Sequence, residues 1–509
     1  MNTYFKRTLL LLTLGLGSCS CTEEFLEENP VSVLNPKSFY TTETGLRQGV
    51  HAAYASLRPI YGEDAQPLYF SLFGTDQFFS GKAAVGAYLI QYDANLTSAL
   101  SEVNYVWTNF YKTINLANTI LANENNVTMN QEAKNQLMAE ARFIRAHSYF
   151  YLTQLFGDVS LLTEPTVGLQ TDFKRNPTSE IYDLIVKDLL YAEANLPAKS
   201  PQLGRLSKAA AQHQLAQVYL VLKNWKAASE NALKVINSGN HRLEADYVKI
   251  FDPSNQTNSE IIWSIQYEND PINSGSAGNT AHMWFTNSYS DIPGMQRTLE
   301  WGRPWTRFAP TDYLMSMYDE KKDQRWNVWR RFDDYSYNNP ASLPAGKKFG
   351  DPIDESWRGT IEFHWALKKY QDPTRPSFNE TRGNKDFIVF RLGETYLLAA
   401  EALMMEGKLT EATKYFNEVR KRAARPGVDF SIKESELNID LILDERSREL
   451  AGEANRRFDL LRTGKLVERV KKYGHPVGAA NIKEMHLLMP IPQRQIDLST
   501  SNYPQNPGY

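Results

Sequence analysis

The only two cysteines of the 509-residue chain, Cys19 and Cys21, stand directly behind an N-terminal apolar run. With no later cysteine there is no disulfide to staple a large body, so packing alone must hold it. The residues in front explain the placement. Lys6 and Arg7 form a charged start, Thr8 to Gly17 (TLLLLTLGLG) a short apolar stretch, and Leu16-Gly17-Ser18-Cys19 a small-residue cleavage site with cysteine at the junction. This is the layout of a bacterial lipoprotein signal: residues 1–18 are expected to be removed and Cys19 to carry the acyl chains. Cys21 is the alternative acylation site, and an ordinary secretory peptide the alternative fate. A membrane-spanning helix needs about twenty apolar residues, roughly twice this run.

Composition excludes several functions. The formal net charge is -3, and loss of Lys6 and Arg7 with the signal makes it more negative, so there is no general attraction to nucleic acid. No later segment approaches the length of an apolar span, which argues against a channel or transporter role for the chain itself. A hydrophobic share of 42%, with 10 Trp and 27 Tyr, supplies a large core.

Residues 19–40 mix acidic side chains with Pro30 and Pro36 and read as a lipidated tether. Helical periodicity fills 41–265. Asn104 to Ala122 places Trp107, Tyr111, Ile114, Ala117 and Leu121 on one stripe. Gln131 to Leu155 does so with Leu137, Ala141, Ile144, Ser148, Leu152 and Leu155. Further helices are expected over Thr178 to Leu196, from a Ser207 cap through Lys223, and over Trp225 to Ser238. An internal echo then relates AQVYLVLKNWKAASENALKVI (216–236) to AEALMMEGKLTEATKYFNEVR (400–420), aligning Ala216 with Ala400, Ala228 with Ala412 and Val235 with Val419. Each segment is a helix end, a tight turn and a second helix, as in tetratricopeptide-type pairing. The expected fold is mainly α, a scaffold of such pairs continuing over 386–509 and interrupted by an insertion at 266–385.

In that insertion Gly, Pro, Asn and Asp break every periodic run, and seven of the ten tryptophans gather: Trp284, Trp301, Trp305, Trp326, Trp329, Trp357 and Trp365. An indole offers a flat apolar face to the C–H surface of a sugar and an N–H to its hydroxyls. Asn287, Asp291, Gln296, Arg303, Arg307 and Asn327 are interleaved with the rings as hydroxyl-selecting partners. The expected ligand contacts are Trp284, Tyr289, Trp301, Arg303, Trp305 and Trp329, joined by Tyr69, Phe73 and Asp76 from LYFSLFGTDQFFSG (68–81). The bland alternative is that the rings pin an irregular segment onto the helices.

Catalytic patterns are missing from the sequence. Glu445, Glu449 and Glu453 share one helix face, but Arg446, Arg448, Arg456, Arg457 and Arg462 lie among them, so ion-paired packing is expected in place of glycosidase chemistry. The histidines show no metal-ligand spacing, His147 and His213 read as packed or surface residues, and Asp351, Asp354 and Glu355 lack the alternation of a calcium loop. No phosphate-cradling loop or nucleophile elbow occurs, and neither a cofactor nor a metal is expected.

Six segments together resemble the SusD/RagB family of outer-membrane nutrient-binding lipoproteins. They are the cleavage site followed by TEEFLEENP, AEARFIRAHSYFYLTQLFGDVSLL (139–162), GRLSKAAAQHQLAQVYL (204–220), FRLGETYLLAAEALMMEGKLTEATKYFNEVRKRA (390–423), ERSRELAGEANRRFDLLRTGKL (445–466) and LLMPIPQRQIDLSTSNYPQNPGY (487–509). Ser160 departs from the proline usual in the family. The resemblance implies a right-handed superhelical scaffold of tetratricopeptide-like pairs with an irregular ligand-binding region, anchored on the outer face of a Gram-negative outer membrane. It also implies a non-catalytic protein that captures oligosaccharides for a SusC-like TonB-dependent transporter. A lipid-anchored glycosidase and a protein- or peptide-binding scaffold are the alternatives. No ligand residue is carried over from the family.

Overall fold

The computed structural model describes residues 39–63, 66–200, 202–268, 270, 278–453 and 455–509. The signal segment, Cys19 and most of the tether lie outside the described residues. Helices form where the apolar spacing places them: α1 (Glu43–Ala55), α2 (Ser101–Ala122), α3 (Gln131–Phe156), α4 (Thr178–Asn195), α5 (Lys208–Val221) and α6 (Trp225–Asn237). After the irregular region come α7 (Leu392–Met405), α8 (Leu409–Ala423), α9 (Ile439–Leu450), α10 (Arg456–Arg462) and α11 (Leu466–Tyr473). Among the described residues, no helix is long and apolar enough to cross a membrane.

Two details differ from the sequence reading. Ser207 occupies the N-cap position of α5 with extended backbone, yet its buried hydroxyl has no hydrogen-bond partner, so the expected side-chain cap is not made. Helix α3 shows more than one buried stripe: from Leu137 to Phe156 every residue except Arg142 is buried. Neighbours on all sides satisfy its polar groups. Arg145 donates to Asp188 at 2.8 and 3.0 Å and to Asn118 at 2.8 Å, Arg205 closes on Glu140, and His147 sits between Tyr61 at 2.6 Å and Gln214 at 2.7 Å. Burial lowers the His147 pKa to about 4, which suits a neutral packed imidazole.

The internal echo becomes contact in space. The two segments of the echo fold as the helical hairpins α5–α6 and α7–α8, and α6 lies directly against α7, so successive neighbours from α2 to α8 form one array. Ala216, Ala228, Ala232, Ala399 and Ala402 interdigitate with Leu220 and Leu398 at the joint between hairpins. Ala400, Ala412 and Val419, the echo partners of Ala216, Ala228 and Val235, fill the next layer with Phe416 and Ile442. Small side chains at matched positions let the helix axes approach closely, the reason the pattern repeats. Both hairpin turns bend through a left-handed residue, Lys223 at φ 56° and Gly407 at φ 80°. Only glycine adopts this conformation without steric cost. Lys223→Gly is therefore expected to stabilise the protein by up to about 1 kcal/mol, and Gly407→Ala, which meets no atom within 4 Å, to destabilise it by about 1 kcal/mol through backbone strain alone, both read as shifts in thermal melting.

The hairpins can adjoin because the chain between them leaves and returns at one place. β2 (Ile261–Ile265) pairs antiparallel with β6 (Phe387–Arg391), closing the excursion at its base. Inside the excursion, β3 (Phe308–Pro310) pairs with β1 (Phe78–Ser80) of the N-terminal part, while β4 (Trp329–Arg330) pairs with β5 (Ala366–Leu367). The irregular region is thus stitched to the helices as well as hinged on them.

An ionic core joins the excursion to the C-terminal helices. Arg325 bridges Asp323, Glu445 and Glu449 at 2.7 to 2.9 Å, Arg391 bridges Glu260, Glu449 and Glu453, and Arg422 reaches Glu260 and Glu449. Glu445, Glu449 and Glu453 are ion-paired as expected, but of the arginines beside them in sequence only Arg448 meets one of the three, Glu445 at 2.6 Å. Burial alone would raise the Glu445 and Glu449 pKa values, but the surrounding guanidiniums outweigh it and hold both carboxyls well below the usual range. A carboxyl held ionised and enclosed by arginines has no proton to give a leaving group.

Candidate functional site

Pairing of β1 with β3 brings two loops to one surface. The N–H of Gly81 donates to the carbonyl of Arg307 at 3.1 Å, which sets residues 81–85 beside 303–307. Lys82 crosses the seam, reaching Asp291 at 3.0 Å and Glu362 at 3.4 Å. Trp305 is half-buried here, its backbone N–H held by the carbonyl of Met283 at 3.1 Å and the Arg307 guanidinium 4.1 Å above its ring. Arg303 and Arg297 converge on one residue: Arg303 donates to the Asn379 carbonyl at 2.9 Å, and Arg297 to the Asn379 side chain at 3.3 Å. Phe378, adjacent to Asn379, leaves its ring 46% exposed. The result is an open surface of one half-buried indole, one exposed phenyl ring and several guanidiniums presented at fixed positions.

Only part of the expected contact set lies there. Trp284, Trp329, Tyr289, Tyr69 and Phe73 are at most 2% exposed, so their rings have no face to offer a ligand and serve as core, a correction to their expected role. Tyr69 stacks on Phe73 at 5.1 Å and Phe73 lies 4.6 Å from Phe308; Trp284 donates its N–H to Thr280. Asp76 is buried as the partner of Arg456 and Arg469, tying the N-terminal patch to α10 and α11, and this role too corrects the expectation. Trp301 packs edge-on against Tyr289 at 5.4 Å and Tyr335 at 5.2 Å, with only its margin exposed.

The interleaved polar residues divide in the same way. Asn287 is enclosed, donating to the His364 carbonyl and accepting from Tyr335; Gln296 is tied to Asn338, and Asn327 accepts from Arg425. Asp291, Arg303 and Arg307 remain at the surface just described. Asp354 and Glu355 are engaged by Lys347 and Arg358, and among the described residues no acidic or histidine cluster has a metal-holding arrangement. Lys82, Arg297, Phe378 and Asn379 were not read from the sequence as site residues. The signal for Phe378 and Asn379 was present in Pro376-Ser377-Phe378-Asn379, an aromatic set in a turn-forming run.

Comparison with known proteins supports the architecture. A family model described as the SusD family matches residues 259–509, and one described as starch-binding associating with outer membrane matches residues 24–220. The chain is 30% identical to SusD-like protein P25 of Formosa agariphila, with 97% of each chain covered. It is 28% identical to the starch-binding protein SusD of Bacteroides thetaiotaomicron, covering 73% of this chain and 72% of that one. A solved laminarin-binding SusD-like protein superposes with a TM-score of 0.73 at 24% identity, over 92% of this chain and all of that one. The mainly helical array, the excursion closed by β2 and β6, and near end-to-end similarity to these relatives show that this chain belongs to the SusD family.

Proposed function

We propose that the protein is a surface lipoprotein, held through Cys19 to the outer membrane with its body facing the cell exterior, that binds oligosaccharides and passes them uncleaved to a SusC-like TonB-dependent transporter. The observation that carries this reading is the open surface where the 81–85 and 303–307 loops meet: Trp305 is half-buried under the Arg307 guanidinium, with Arg303 and Lys82 on the same loops. Starch binding and laminarin binding by the relatives support a saccharide as the ligand class. Trp305 and Arg303 are the proposed contacts, with the margin of Trp301 beside them. The lipoprotein signal at Leu16 to Cys19 supports the anchor, and the same family resemblance supports the transporter partner.

Calorimetric titration with a panel of oligosaccharides tests the site. Trp305→Ala is expected to lower affinity by about 1 to 3 kcal/mol while leaving the melting temperature nearly unchanged, because a half-buried ring contributes little core. Unchanged affinity in a folded variant would remove Trp305 from the site. New reducing ends on incubation with polysaccharide would overturn the non-catalytic reading.

A further inference from the structure

The protein treats its arginines in two ways. Against the C-terminal helices, buried guanidiniums meet carboxylates: Arg422, Arg446 and Arg456 on the helices, Arg391 at the end of β6 and Arg325 from the excursion are each ion-paired. Four others in the excursion, Arg297, Arg303, Arg330 and Arg375, form no ion pair among the described residues. They donate only to neutral acceptors. Arg297 and Arg303 share Asn379, Arg330 donates to the Glu300 carbonyl and the Gln371 side chain, and Arg375 donates to the carbonyls of Asp372 and Glu380. Arg330 and Arg375 are 6% and 2% exposed, and each keeps one buried Nη with no partner.

Carboxylates nearby supply part of the charge, Glu380 to Arg303 and Asp372 with Glu380 to Arg375, but from beyond ion-pair distance. Glu380 is engaged by Arg382 and by the amides of Thr381 and Arg382, and Asp372 accepts from the amides of Thr374 and Asn384. Burial, and then the positive charge of Arg297, lowers the Arg303 pKa. Like charges gathered with no carboxylate in direct contact raise the energy of the free protein, and an arriving anion relieves it. The guanidinium fork matches the two oxygens of a carboxylate or sulfate, and Arg297 and Arg303 are the accessible members of the group.

We propose that Arg297 and Arg303, backed by buried Arg330 and Arg375, receive the acidic group of a charged saccharide, a uronate carboxylate or a sulfate ester, so that the glycan bound by this protein is anionic. This rests on the glycan-binding reading of the same surface. Phe378 beside Asn379 supplies an apolar face for the sugar ring next to that charge.

The test is calorimetry on the full mature protein with three oligosaccharides of matched length: an oligouronate, a sulfated oligogalactan and a neutral oligoglucan. One of the two charged probes is expected to bind about tenfold or more tightly than the neutral one, and which of them does so identifies the acidic group. The preference should shrink as salt is raised, and should nearly vanish in the Arg297→Gln and Arg303→Gln double variant. Arg297→Gln alone, at an exposed hydrogen bond, serves if the double variant does not fold. Neutral oligosaccharide bound as tightly as the charged ones overturns the anionic class and leaves glycan binding standing. A charge preference that survives both substitutions overturns the placement, and failure of all three probes to bind overturns the proposal together with the glycan reading.

Discussion

Glu449→Ala is expected to destabilise the protein by about 3 to 5 kcal/mol, measured by urea unfolding, although the residue is no part of the proposed ligand surface. Glu449 is fully buried and is the common partner of Arg325 at 2.9 Å, Arg391 at 2.5 Å and Arg422. Removing it leaves three guanidiniums with less compensation in a site closed to water, and that desolvated charge is the source of the penalty. The same group makes stability depend on pH. Its folded pKa lies well below its ordinary 4.5, because the arginines overcome the effect of burial. The unfolded chain therefore binds the proton first, so the stabilisation is fully present above about pH 5 and is lost as the pH falls through the carboxylate range. Glu445 has the same direction and adds to the effect. Glu449→Gln should accordingly be less stable than the parent at neutral pH and show a shallower decline on acidification. A variant with parental stability and parental acid sensitivity would show that the network contributes nothing.

Trp329→Ala is expected to destabilise by about 3 to 5 kcal/mol and to leave saccharide affinity unchanged in the molecules that remain folded. Trp329 is 2% exposed, stands in β4 opposite Leu367, and packs against Tyr318 at 5.9 Å and Phe78 at 6.5 Å. Truncation opens a cavity where the excursion meets the N-terminal part, two regions that cannot collapse into it independently. Thermal melting paired with calorimetry separates this outcome from that of Trp305→Ala, where affinity falls and stability does not. A folded Trp329→Ala of normal stability and weakened binding would return this ring to the ligand surface.

The contrast between those two tryptophans shows where sequence reasoning stopped. Helices α2 to α6 were legible because an apolar stripe at helical spacing is a local property, written within one segment. The hairpin echo was legible for the same reason, since Ala228 and Ala412 each meet the preceding helix of their own pair. That Glu445, Glu449 and Glu453 are ion-paired was legible from the arginines crowding the same stretch, yet only Arg448 of those meets one of them; Arg325, Arg391, Arg420 and Arg422, the main partners, come from other segments. Ser207 was misread because a capping residue type does not guarantee that its side chain turns toward the helix. His147 and Arg145 showed only that α3 carried polar residues; that all its sides are covered depends on the elements packed around it, from α1, α2, α4 and α5 to Tyr61, Trp263 and Phe390.

By itself the sequence determined a mainly helical scaffold of paired helices, with no cysteine beyond Cys21 to staple it, and an irregular aromatic segment between matching hairpins. The tertiary structure alone decided which aromatic rings are core and which meet solvent. In an irregular segment there is no period from which to read a face, so each ring's exposure is set by what folds over it: Phe78 and Tyr318 beside Trp329, Thr280 beneath Trp284, the Arg307 guanidinium above Trp305. The tertiary structure also separated the arginines that have carboxylates from those that do not, because a counterion is defined by distance in space and not along the chain.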